Sequence, residues 1–180
     1  MFKKILIVLL ILIVAFVVVV ALQPGDMRVS RSAVIPAAPA VVFDHVNDLH
    51  KWQAWSPWAR LDPNATNTFE GPTAGKDAAF SWSGNMSVGE GTMTITESHP
   101  AEAIGIRLDF RKPMAGTNDV RFTFKPDGAG ATSVTWEMAG KKNFVAKAMG
   151  LFMDCEKMCG DQFEAGFANL KEAVAASPAP

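Results

Sequence analysis

Ala103-Ile-Gly-Ile-Arg-Leu-Asp-Phe-Arg111 and Asp119-Val-Arg-Phe-Thr-Phe-Lys125 are the two runs whose reading decides the fold. In the first, Ile104, Ile106, Leu108 and Phe110 alternate with Arg107, Asp109 and Arg111. In the second, Val120, Phe122 and Phe124 alternate with Arg121, Thr123 and Lys125. A period of two puts the apolar side chains on one face of a strand and the charged ones on the other. An antiparallel sheet with one face on a core and one in water has this pattern.

Working outward, the same texture predicts strands at 67–70, 77–83, 91–97 and 132–139. They are separated by the turn signals Gly71-Pro72, Gly84-Asn85, His99-Pro100, Ala115-Gly116 and Pro126-Asp-Gly. Spacings this short between successive strands favour an antiparallel meander. Before them, 27–35 reads as a further strand with Met27, Val29, Arg31, Ala33 and Ile35 on one face, stopped by Pro36. Pro39 suits the first position of a short helix in which Val42, Phe43, Val46 and Leu49 recur at helical spacing. After the strands comes one long helix, from near Phe144 to about Ala175. Its stripe of Ala148, Phe152, Cys155, Cys159, Phe163, Gly166, Phe167, Leu170 and Val174 needs an apolar partner, and the sheet face is the large one on offer.

The other strong signal is at the N-terminus. From Ile5 to Leu22 every residue is aliphatic, Ala or Phe, and the run is preceded by Lys3 and Lys4 and stopped by Gln23-Pro24-Gly25-Asp26. As a helix it reaches ~27 Å, close to the hydrocarbon thickness of a bilayer. A cleaved secretory signal is the competing reading, but Val20-Ala21-Leu22-Gln23 is a poor small-x-small site. The expectation is a single-pass membrane protein held through residues 5–22, its short basic N-terminus in the cytoplasm and the rest outside, periplasmic or extracellular. The chain then divides into an anchor (1–25), one domain (26–176) and a frayed tail (177–180).

Without Lys3 and Lys4 the chain has 15 basic and 18 acidic residues, a net charge of −3. A nucleic-acid partner is therefore not expected, since phosphate binding needs a positive surface. A hydrophobic small molecule or a lipid is expected instead; a protein partner is not legible.

Three local motifs carry a family resemblance: Ile35-Pro36-Ala-Ala-Pro39-x-x-Val42-Phe43, then Trp52-x-x-Trp55-Ser56-Pro57-Trp58, then Phe163-Glu164-x-Gly166-Phe167-x-Asn169-Leu170-Lys171. Together with the element order, they resemble the START-like superfamily, also called SRPBCC or birch-pollen-allergen-like. They look most like its membrane-anchored bacterial polyketide-cyclase/dehydrase-type proteins. The resemblance implies an α+β helix-grip fold: a curved antiparallel sheet wrapped around a long C-terminal helix, here with an N-terminal transmembrane helix added. It also implies an elongated cavity between sheet and helix. Alternation then nominates Phe80, Trp82, Met93, Ile95, Ile106, Leu108, Phe122, Val134, Trp136 and Met138 as its lining. Phe152, Cys155, Cys159 and Phe163 join them from the helix. A closed core made of the same residues is the alternative.

Catalytic motifs are sparse. Gly84-Asn-Met-Ser87-Val-Gly89 has the wrong spacing for a nucleophile elbow, and Gly89-Glu-Gly91 lacks the helix of a phosphate cradle, so these glycines read as turn or bulge residues. His45, His50 and His99 lack metal-ligand spacing. Cys155 and Cys159 share a helix face, where they read as small hydrophobes rather than ligands. No metal, cofactor or catalytic residue is nominated. Cyclase- or dehydratase-like acid–base chemistry stays open through the resemblance, with His45, Asp48 and His50 able to reach a pocket mouth. Trp52, Trp55 and Trp58 have two readings: a plug that closes the end of the sheet, or a portal touching the bilayer, where indoles favour the interface.

Overall fold

Seven strands form one sheet: β1 (Asp26–Ile35), β2 (Thr66–Glu70), β3 (Ala79–Ser83), β4 (Glu90–His99), β5 (Ala103–Lys112), β6 (Gly116–Pro126) and β7 (Thr132–Lys141). The computed structural model describes residues 2–128 and 130–177. Every pairing is antiparallel, and the spatial order is β1-β7-β6-β5-β4-β3-β2. The expected meander thus runs from β2 to β7, and β1 closes against β7 (Val29 opposite Met138). Register carries the apolar face across strands: Ile104 lies opposite Phe122, and Phe122 opposite Trp136. Gly89, at φ +67°, and a bulge at Glu90/Gly91 bend the start of β4, in keeping with the turn-or-bulge reading.

Between β1 and β2 lie α2 (Pro39–Asn47), the 3₁₀ turn Leu49–Lys51, α3 (Trp52–Trp55) and a second 3₁₀ turn, Pro57–Arg60. Pro39 opens α2, where it forfeits no intrahelical hydrogen bond. Val42, Phe43, Val46 and Leu49 are buried against the sheet, and Trp52 and Trp55 join them in one continuous core. The C-terminal segment corrects the expectation of a single long helix. It is two helices, α4 (Phe144–Met149) and α5 (Cys155–Ala176), each with its own side-chain cap. Asn143 accepts from the Ala146 amide, and Asp154 accepts from the Lys157 amide at 2.8 Å. Two competent N-caps eleven residues apart allow the chain to turn between them. Phe163, Phe167, Leu170 and Val174 of α5 are buried as the stripe requires. Ser177 is anchored to His45, so it is not frayed; positions 178–180 of the expected tail lie outside the described residues. Helix α1 (Phe2–Ala21) is long and apolar enough to cross a membrane.

Close approach of α5 to the sheet depends on Gly166. A methyl group there would sit 2.8 Å from Cζ3 of Trp136 and 3.3 Å from Cδ of Pro57, both in buried residues. Overpacking of this kind costs about 1–3 kcal/mol, whereas helix propensity returns about 1 kcal/mol for Gly to Ala. Gly166→Ala is therefore expected to destabilise the fold by about 1 kcal/mol, lowering the thermal midpoint by roughly 2–4 °C. Gly116→Ala, with nothing within 4 Å of the added carbon, should leave it unchanged in the same melt.

Candidate functional site

Helix α5 packs on β1, α2, α3 and the Pro57–Arg60 turn, so it covers one side of the concave face. Beside it remains a cavity of about 660 Å³, within the range of about 300–1,000 Å³ usual for small-molecule sites. Its walls are Phe80 and Trp82 of β3, Met93 of β4, Ile106, Leu108 and Phe110 of β5, Val120 of β6, and Trp136 and Met138 of β7. Cys159 and Phe163 of α5, with Trp52 and Trp58, close the other side. A solid, fully packed interior is thereby ruled out.

Polar groups enter at the rim, and the charged ones are already engaged. The Asp62 carboxylate accepts the backbone amides of Asn64 at 3.1 Å and Asn85 at 2.7 Å. Lys112 pairs with Glu90 at 2.9 Å, and Asp161 accepts from Lys157 at 2.7 Å. Gln53, Asn67 and Gln162 complete a band of neutral polar side chains. The walls are thus apolar and the rim polar, which suits an amphiphile better than a uniformly polar solute.

Several nominated residues lie elsewhere. Ile95, Phe122 and Val134 face the predicted side of the sheet but belong to the packed core outside the cavity. Alternation fixes the face of a strand, not the position along it that a covering helix fills. Phe152, 78% exposed in the turn between α4 and α5, and Cys155, in the first turn of α5, do not line the cavity either, because the break between the helices turns this segment away from the sheet. In the other direction, Leu61, Met86, Val88, Pro113 and Met158 line the cavity without having been nominated. They sit in turns or on the helix flank, where no periodicity marks them.

Within the indole cluster, Trp52 and Trp55 are packed into the interior, as a plug would be. Trp55 is fully buried and Trp52 nearly so; their Nε1 groups donate to the carbonyls of His45 at 3.0 Å and Val46 at 2.8 Å. Trp58 is half-buried on the cavity wall. Trp136 is the hub of this cluster, stacked on Phe163 with centroids 4.1 Å apart and planes 7° from parallel. Trp52, Trp55 and Trp58 meet it edge-on at 6.2, 5.8 and 5.9 Å. The Nε1–H of Trp136 is buried with no hydrogen-bond acceptor among the described residues. The expectation that His45, Asp48 and His50 reach the mouth is not met. His45 is buried between the Val41 carbonyl and the Ser177 hydroxyl, while His50 stacks on Phe69 and bonds Asp48.

Fold and cavity can now be set against known proteins. The family model described as polyketide cyclase / dehydrase and lipid transport matches residues 26–175. The chain belongs to this family. Within it, a hydrophobic ligand-binding or cyclase role is supported. Among solved structures, a Chromobacterium violaceum protein superposes with a TM-score of 0.60 at 16% identity, covering 86% of this chain and 100% of its own. The Aha1 protein of Colwellia psychrerythraea, solved as a dimer, gives 0.59 at 14% identity, covering 85% and 99%. Ara h 8.0201 gives 0.60 at 11% identity, covering 85% and 100%. These likenesses are of fold. No curated protein matches the sequence.

For a cyclase/dehydrase and lipid transport domain, the thiol on the cavity wall is a usable reporter. Burial pushes Cys159 up from 9.0 to about 11, against the opposing pull of the Arg31 charge. Alkylation proceeds through the thiolate, so at pH 8 Cys159 should react roughly a hundredfold more slowly than an unperturbed thiol. Peptide mapping after timed iodoacetamide treatment checks this; a free-thiol rate at Cys159 would mean that its wall of the cavity is open to water.

Proposed function

We propose that this domain binds a hydrophobic or amphiphilic small molecule, lipid-like in character, in the cavity between sheet and α5, and that it does so beside a membrane into which α1 is inserted as a retained anchor. The observation that carries the reading is the cavity itself: about 660 Å³ with apolar walls and a polar rim. Filling it with an acyl, isoprenoid or aromatic body removes apolar surface from water on both partners, at roughly 25 cal/mol per Å². The rim meets the polar end. Retention of α1 is supported by its length and by the poor cleavage site that follows it. Lys3 and Lys4 ahead of the span support an orientation with the domain outside the cytoplasm.

Cyclase or dehydratase chemistry has less support from the side chains. A general acid or base needs a free ionisable group within reach of the substrate. The carboxylates and the lysine at the rim are committed to backbone amides or to opposite charges, and Cys159 is held in its protonated form. Uptake and release of an unmodified ligand need none of these groups to titrate.

Leu108 offers the cleanest test because it is half-buried on the cavity wall, so a larger side chain grows into empty space. The full chain in detergent should take up a fluorescent acyl-chain probe, and Leu108→Trp should weaken that uptake at least about tenfold while leaving the thermal midpoint within a few degrees. Equal binding by wild type and variant, or no uptake of any acyl, isoprenoid or aromatic probe, counts against the proposal.

A further inference from the structure

Outside α1, large apolar side chains that stand exposed are not scattered over the described surface. Six of the ten fall within residues 144–158: Phe144, Val145, Met149, Phe152, Met153 and Met158. Of the other four, Leu22 directly follows α1, and Leu61 and Met86 line the cavity. A ridge where exposed apolar side chains concentrate in this way marks a contact surface.

Its place in the fold says what covers it. Helix α4 packs on the C-terminal end of α1: Lys147 Nζ donates to the Ala21 carbonyl at 3.4 Å, and the Lys142 amide donates to the Gly25 carbonyl at 2.7 Å. Only residues 22–25 separate α1 from β1. Strand registers then fix which end of the sheet this is. Asp26 lies opposite Lys141, Asn118 opposite Gly140, Glu90 opposite Lys112, and Ser83 opposite Glu90. The start of β1, the β3–β4 loop with Met86, the β5–β6 turn with Pro113 and the α4–α5 ridge therefore share the end of the sheet from which α1 emerges. Met86, Pro113 and Met158 also line the cavity, so its mouth is at that end.

We propose that the α4–α5 ridge is a second membrane contact, seated in the interfacial layer of a lipid bilayer next to α1, so that the cavity mouth opens onto the lipid surface. The proposal rests on the reading of α1 as a retained anchor. Phe and Met side chains enter the acyl boundary while Lys147 reaches back toward the headgroups. Asp154 and Glu156 stay with the Lys157 amide and Lys142, so an anionic lipid is not required. Seated in this way, a ligand passes from bilayer to cavity without crossing bulk water.

The test is lipid-depth quenching on the full chain in zwitterionic nanodiscs containing brominated acyl chains. Single cysteines carrying an environment-sensitive fluorophore are placed by Leu12→Cys, Phe152→Cys and Glu102→Cys, each with Cys155→Ser and Cys159→Ser. Leu12 lies in α1, and Glu102 lies in the turn at the opposite end of the sheet. The expected result is quenching at 12 and 152 and none at 102, with the three variants melting alike. Quenching at 12 with a water-exposed label at 152 overturns the ridge proposal and leaves the anchor standing. No quenching at either position overturns both, whereas quenching at 152 alone keeps the ridge contact and removes the anchor.

Discussion

The stacking of Trp136 on Phe163 sets how near α5 comes to the sheet, and the rest of the interior follows from that distance. Trp136 faces inward because β7 alternates, and Phe163 meets it because α5 carries its apolar stripe at helical spacing. Gly166 lets the helix approach the ring edge. Trp52, Trp55, Trp58 and Phe167 then pack edge-on around the same indole, an arrangement favoured by the aromatic quadrupole. One residue thus ties the sheet, the last helix and the α3 connection together.

The interior on either side of this hub has two characters. Toward the far end, Ile35, Val42, Val46, Ile104, Phe124, Val134 and Leu170 fill the space between α2, α5 and the sheet. Toward the end where α1 joins, inward side chains of β3, β4 and β5 look into the cavity. A curved sheet and a straight helix cannot remain in contact along their whole lengths. The separation opens on the side that the aromatic plug leaves uncovered. The rim adds polar groups whose charged members are paired within the protein, which keeps the mouth wettable without setting unpaired charge inside.

Much of the architecture was legible because the sheet is half-buried. Ile104 to Phe110 and Val120 to Phe124 alternate without interruption, and a one-residue slip would turn each set into water, so face and register were constrained together. The membrane-length helix was equally legible, since a run this long without a polar face needs an apolar surround on every side. Phe80, Trp82, Met93, Ile106, Leu108, Trp136, Met138, Cys159 and Phe163 reach the cavity as alternation and helical spacing suggested. Ile95, Phe122 and Val134 share that face, but they belong to the packed core outside the cavity. Phe152 illustrates a different limit. Its spacing fits the stripe of α5, yet Asn143 and Asp154 each cap a helix, and the chain between them bends outward.

The sequence by itself determined the strands, their buried faces, the antiparallel meander and the membrane-length helix, because periodicity and turn chemistry act over a few residues. Only the tertiary structure decided where along the sheet the interior is full and where it is empty, that Trp52 and Trp55 are buried, and that the exposed apolar segment shares an end with α1 and the cavity. Those outcomes depend on how far a rigid helix can follow a curved sheet and on which strand ends the registers bring together, and no local pattern encodes either.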